Sequence, residues 1–467
     1  MTPSVLCFPL LLLLPHLGNS YHISDARASR QFVVRTSRSS RASTSEESCS
    51  SISSGAANGN KLPLVDWLSP CPTPNGGLAS SMDVFEQRRP QAPGHTRRRG
   101  PHPVSVSDSS SVLRGALRYI VLVGYGTPAQ QLRMGFDTLQ FPEGISTLRC
   151  KICVSGAPPA CDGQAFDPAG SSTFRRVARG PECPSVCDGS STGCSLKVTY
   201  LNRTLAANGT FVKDTLAVSP SAAFPDFVLA CMDVDSVNYA ASIGVLDLSR
   251  SRLSLVSRAV SSPANGSAAA AAFSYCLPPS TRSSRGFLSF GGALPDFSGD
   301  GAGSTPLIED PNHRFNYLIK FRGINVGGTE VPVPELRLAA LDIGMSFTFL
   351  TPAMYAALRD EFRRQMAKYP VAPPYRTLDT CYNFTGLPAF DVPGISLEFD
   401  GGATLQPDVG KMMYFLLDAA PFTYGCLAFA PAPDDFPFSV VGNTAQQTVE
   451  VVYNVRGGNV GFIQQSC

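Results

Sequence analysis

From Tyr119 onward the chain alternates short apolar runs with turns rich in glycine, proline and asparagine. Residues 118–128, RYIVLVGYGTP, are a continuous apolar run closed by Gly-Thr-Pro, the pattern of a buried strand. Residues 196–218, LKVTYLNRTLAANGTFVKDTLAV, predict a hairpin with Asn208-Gly209 near its bend. Residues 318–333, LIKFRGINVGGTEVPV, predict a strand pair about Gly327-Gly328. Only residues 351–369, TPAMYAALRDEFRRQMAKY, carry a sustained helical period, with Thr351 as cap and Pro352 in the first turn. SRLSLVSRA, residues 251–259, predicts a shorter helix.

The pattern repeats itself. MGFDTLQF (134–141) and AALDIGMSF (339–347) each end an apolar run in an aspartate, and GVLDLS (244–249) and VVGNT (440–444) each place an apolar pair at a later turn. This echo predicts two mostly β lobes, residues 118–295 and 296–467, each giving one carboxylate to a shared cleft.

Residues 21–117 lack any sustained period and are rich in Ser, Arg, Pro and Gly. They hold 12 Lys and Arg against 7 Asp and Glu, leaving 26 against 29 for residues 118–467. A basic, largely disordered leader before a slightly acidic body reads as a propeptide whose salt bridges to the body loosen in acid; a solvated tail is the plainer reading. The leader's basic residues are not interleaved with aromatics, which argues against nucleic-acid binding.

Residues 1–20 contain an apolar stretch, SVLCFPLLLLLP, too short to span a bilayer comfortably and read as a signal peptide. No later stretch of about 18 apolar residues follows, so no integral membrane segment is expected after its removal. Seven of the 14 cysteines fall in residues 150–231. CKIC (150–153) has no nearby histidine, so disulfides rather than zinc are expected, and with the sequons at Asn202, Asn208, Asn265 and Asn383 they indicate secretory passage to the extracellular space or the vacuole.

Two carboxylates within hydrogen-bond reach cannot both ionise easily, so they share one proton. The ionised member takes a proton from water while the protonated member polarises a peptide carbonyl, with no metal or organic cofactor. Asp137 and Asp342 are the candidates. The surrounding motifs carry a resemblance: YIVLVGYGTP, FDPAGSSTF (166–174), FSYCLPPS (273–280), DTCYNFTG (379–386) and VVGNTAQQTVEVVYNV (440–455) resemble, in order, the pepsin-like aspartic proteases and their plant nepenthesin-like branch. The resemblance implies an all-β bilobal double barrel, Asp137 and Asp342 as catalytic residues, Tyr200 as the substrate-binding flap residue, a Cys381–Cys426 pair, and a monomer acting on extended polypeptides.

The same resemblance exposes departures. Such proteases carry Asp-Thr-Gly or Asp-Ser-Gly; here Asp137-Thr138-Leu139 lacks the glycine and Asp342-Ile343-Gly344 lacks the hydroxyl. The segment after Asp137 is longer, Thr147 stands where tryptophan is expected, and Asp247 replaces a glycine whose counterpart, Gly442, is intact. Tyr200 lacks the flap's glycines. The expected function is therefore an aspartic endopeptidase, acid-active and of reduced rate, or alternatively an inactive homologue acting as a binding or inhibitor protein. Leu139 is expected to strain the backbone if its φ is positive, and only to add bulk if it is negative.

Overall fold

The computed structural model describes residues 31–35, 61–66 and, with breaks at several loops, 119–466. Residues 1–20, read as a signal peptide, and most of residues 21–117 lie outside the described residues. Strands dominate, and the first lobe is built on a nine-stranded sheet. Its apolar runs are buried on both faces: in Tyr119–Tyr125 only Leu122 is exposed. That strand pairs antiparallel with Gln130–Asp137, which runs parallel to Gly244–Asp247, and Thr147–Arg149 lies antiparallel on the far side.

The second lobe repeats this arrangement. Leu338–Leu341 runs parallel to Ser439–Val441, and Phe349 of Thr348–Leu350 pairs antiparallel with Val440. A six-stranded sheet joins the halves, combining Ala272–Cys276 and Phe287–Phe290 with Ala302–Pro306, Glu450–Asn454 and Asn459–Ile463 from later in the chain. Tyr275, Tyr317, Tyr453 and Phe273 pack together on it, fully or nearly fully buried.

The helix expected over 351–369 spans Pro352–Gln365 and buries Met354, Tyr355, Leu358 and Phe362, the face its period selects. Thr351 precedes it but makes no side-chain cap. The shorter helix runs Leu255–Ser261. Gly327 and Gly328 take φ of +55° and +90° between Leu318–Val326 and Thr329–Val331, as a two-residue hairpin turn requires.

The position of one turn needs correction. The first-lobe hairpin does not bend at Asn208-Gly209: Ser195–Tyr200 and Leu205–Ser219 are its strands, and Gly209 sits opposite Leu196. Gly209 serves close packing instead, since a Cβ there would lie 2.6 Å from the Met232 sulfur and 3.1 Å from the Cys231 carbonyl oxygen. Within the leader, Gln31–Arg35, Lys61–Pro63 and Val65–Asp66 are strands, each paired with the body. Disulfides join Cys150–Cys231, Cys183–Cys194 and Cys381–Cys426, so Cys150 of the CKIC segment is a structural half-cystine.

Candidate active site

Both aspartates stand at the ends of equivalent strands. Asp137 closes Gln130–Asp137 in register with Asp247, and its carbonyl accepts from Leu248 N at 2.8 Å. Asp342 follows Leu338–Leu341, and its N–H donates to Val441 O at 3.0 Å. The two loops converge on Gly344. A Cβ there would lie 2.7 Å from one Asp137 oxygen and 3.1 Å from one Asp342 oxygen, so those oxygens are no farther apart than the two distances together. Gly344 is not in the left-handed region, so glycine is required here for space, not for φ.

The N–H groups are distributed unequally. Leu139 N donates to Asp137 Oδ1 at 3.1 Å, and Met345 N to Asp342 Oδ1 at 2.7 Å. Burial raises the Asp137 carboxyl to about 7, while the N–H groups of Leu139, Thr138, Ile343 and Gly344 pull it partly back. Donors from both loops therefore serve Asp137. Asp342 is pushed well above the usual carboxylate range by burial and then by the Asp137 charge, and only Met345 and Gly344 of its own loop oppose this. Asp137 keeps partial exposure, whereas Asp342 is 3% exposed. Burial thus holds both carboxyls toward the protonated form, and Asp137 is the more accessible of the two.

Thr138 makes one arm of a brace between the lobes, its hydroxyl donating to Leu341 O at 2.7 Å. Ile343 has no hydroxyl for the other arm and is packed into the main core. The second loop is held from beneath by two buried amides. Asn443 Nδ2 donates to Ile343 O at 2.8 Å, and Gln446 Nε2 to Asp342 O at 3.0 Å, while Gln446 Oε1 accepts from the Tyr275 hydroxyl at 2.5 Å. Sequence reasoning missed these positioning residues; a polar Asn and Gln after an apolar strand carry no signal that they are buried.

Leu139 does not strain the backbone. The non-glycine residues with positive φ among the described residues are Asp226, Arg376 and Thr448. Its side chain is 4% exposed and packs in a cluster of second-lobe residues including Met345, Phe347 and Phe349. The lost glycine thus became an apolar plug between lobes.

Asp247 is a third carboxylate. A Cβ at Gly442, its second-lobe counterpart, would fall 2.1 Å from Phe347 O, so no side chain fits there. In the first lobe Gly144 stands beside the carboxyl instead. Gly144, with φ +61°, passes over the Asp247 carboxyl, which accepts from Ser249 N at 2.9 Å and Ser249 Oγ at 3.1 Å. A Cβ at Gly144 would meet Ser249 Oγ at 2.4 Å and Ser251 Cβ at 2.6 Å. Gly144→Ala is therefore expected to lower unfolding free energy by about 1–3 kcal/mol in urea titrations, from combined strain and overpacking.

Tyr200 ends Ser195–Tyr200 opposite Leu205, at the hairpin tip, and its side chain lies outside the described residues. Among the described residues no cluster of three His, Cys, Asp or Glu side chains is placed to hold a metal.

Comparison with known proteins shows the family. Residues 119–292 match the family model for the xylanase inhibitor N-terminal domain, and residues 316–464 the model for its C-terminal domain. The aspartyl protease AED1 of Arabidopsis thaliana is 31% identical over 77% of this chain and 74% of its own length. Aspartic proteinase nepenthesin-1 of Nepenthes gracilis is 25% identical over 77% of this chain and 80% of its own. Basic 7S globulin from soybean shares the fold, with a TM-score of 0.57 at 17% identity over 74% of this chain and 93% of its own. By its paired strand-end aspartates, its two equivalent lobes and these matches, the chain belongs to the pepsin-like plant aspartic protease family.

Proposed function

We propose that this protein is an aspartic endopeptidase that cleaves extended polypeptides by water activated between Asp137 and Asp342, at a rate reduced by its altered triplets. The observation that carries this reading is the convergence of both carboxylates on Gly344 with Asp137 still partly open to solvent. Asp137 takes the proton of the attacking water while Asp342 donates to the peptide carbonyl oxygen. Incubation with an unfolded protein substrate across a pH series tests it, beside pepstatin and an Asp342→Asn control. Cleavage is expected in the wild type alone; equal background in wild type and control rejects the reading.

The pH profile is a separate prediction. The monoprotonated pair exists only between its two titrations, and ordinary dyads of this kind titrate at roughly 1.5 and 5. With burial raising Asp137 to about 7 and pushing Asp342 well above the usual carboxylate range, the rising limb of the rate is expected near neutrality, not in the acid range the sequence alone suggests. An initial-rate series from about pH 3 to 9 checks it, and maximal rates near pH 3 would contradict it.

A second reading is a binding protein without turnover. It is favoured by the 3% exposure of Asp342 and its lack of first-loop N–H donors, and by the inhibitor description of the matching family models. In either reading residues 1–20 direct the chain into the secretory pathway, toward the extracellular space or vacuole, where it works as a monomer. Asn383, exposed at a strand end, is then a candidate glycan site.

A further inference from the structure

Besides Gln31–Arg35, which pairs with Ala389–Pro393, the leader residues 61–66 are woven into the body. Lys61–Pro63 pairs antiparallel with Phe287–Ser289 at the edge of the six-stranded sheet, and Val65–Asp66 pairs with Tyr119–Ile120 in the first-lobe sheet. Leu64 N donates to Gly286 O at 3.0 Å. Leu62 and Leu64 are 3% and 7% exposed and belong to the main core, while the Lys61 ammonium lies 4.0 Å from the centre of the Phe287 ring. The segment thus stitches two sheets together through main-chain hydrogen bonds and two buried leucines. Its only charged residues are Lys61 and Asp66. Arg97-Arg98-Arg99 lies between this segment and Tyr119, so a cut there leaves residues 61–66 on a separate chain.

We propose that residues 61–66 are a permanent strand of the working protein, retained noncovalently in the groove between Phe287–Phe290 and Tyr119–Tyr125 after the leader is cut. Removing them would open the core at Leu62 and Leu64 and leave the edge of Phe287–Phe290 unpaired. The groove is thereby a site for an extended peptide with apolar side chains at alternate positions, and its resident is the chain's own leader. This is independent of whether the cleft hydrolyses peptides. It also differs from the salt-bridge hold that the leader's net charge suggests, because apolar burial is not screened by salt.

A recognition site for a sequence-specific protease, inserted after Arg99 in the full-length secreted protein, tests the proposal. After cutting, the leader fragment is expected to co-elute with the body in gel filtration at both about 0.1 M and about 1 M salt, and to migrate separately on a non-reducing denaturing gel. Leu64→Ala, a milder change than deletion, is expected to raise the dissociated fraction at least tenfold. Release of the wild-type fragment at either salt concentration, a fragment held only by a disulfide, or an unchanged dissociated fraction in Leu64→Ala would each overturn it.

Discussion

Asp247→Asn is expected to stabilise the protein at pH 8 by up to about 4 kcal/mol and to leave it unchanged near pH 3. The Asp247 carboxyl is fully buried, and burial raises it from 3.8 to about 7, with the hydrogen bonds from Ser249 opposing and the Asp137 charge adding. Between those two values the folded state holds a proton that the unfolded state has released. Stability contributed by the protonated form is complete below 3.8 and is lost as pH rises through about 7. Asparagine keeps the shape, accepts from Ser249 N through its oxygen and donates to Ser249 Oγ through its amide, so it mimics the protonated acid without the titration. Urea unfolding of both forms at several pH values measures the effect; parallel curves would show that Asp247 does not titrate between its two reference values. Asp137 and Asp342, both raised, act with the same sign, so the wild type is expected to be more stable in mild acid than at neutrality.

What the sequence revealed follows from which residues signal locally. The helix at Pro352–Gln365 was legible because its buried positions recur at helical spacing, and Gly327-Gly328 because positive φ at adjacent residues nearly demands glycine. Asp137 and Asp342 were legible as aspartates that each end a repeated apolar run, whereas Thr138 stood out only through the family resemblance. The bend of the first-lobe hairpin was misplaced because Asn208-Gly209 satisfies a turn pattern while meeting a tertiary need, the approach of Met232. The leader strands were missed because KLP and VD are too short to show a period, and only the groove that receives them makes them strands. Asn443 and Gln446 were missed for a related reason: a buried amide is recognised by the carbonyls it satisfies, which lie about 100 residues away in the chain.

The two damaged triplets have different physical consequences, and together they account for an asymmetric pair. Asp137 collects N–H donors from both loops because Gly344 has no side chain to hold the second loop back. The mirror-image approach, first-loop N–H groups toward Asp342, is absent where Leu139 stands in the glycine position. Ile343 compounds this by leaving Thr138 as the brace's one hydroxyl arm. The result keeps the accessible carboxylate well ordered and leaves its partner poorly solvated.

Leu139→Gly is therefore expected to trade stability for activity. Truncating a leucine buried among second-lobe residues Met345, Phe347 and Phe349 removes a contact between lobes and opens a cavity, at a cost of about 3–5 kcal/mol. The freed backbone then lets the first loop close on Asp342 as the second loop closes on Asp137. Combined with Ile343→Ser, which restores the second hydroxyl arm, the change is expected to raise kcat about ten- to a hundredfold, the range associated with misplacement near 1 Å. Urea titration and initial rates on an extended peptide measure the two effects separately. A loss of stability with no gain in kcat would show that the plug limits only packing, whereas wild-type stability would show that Leu139 is not wedged between the lobes at all.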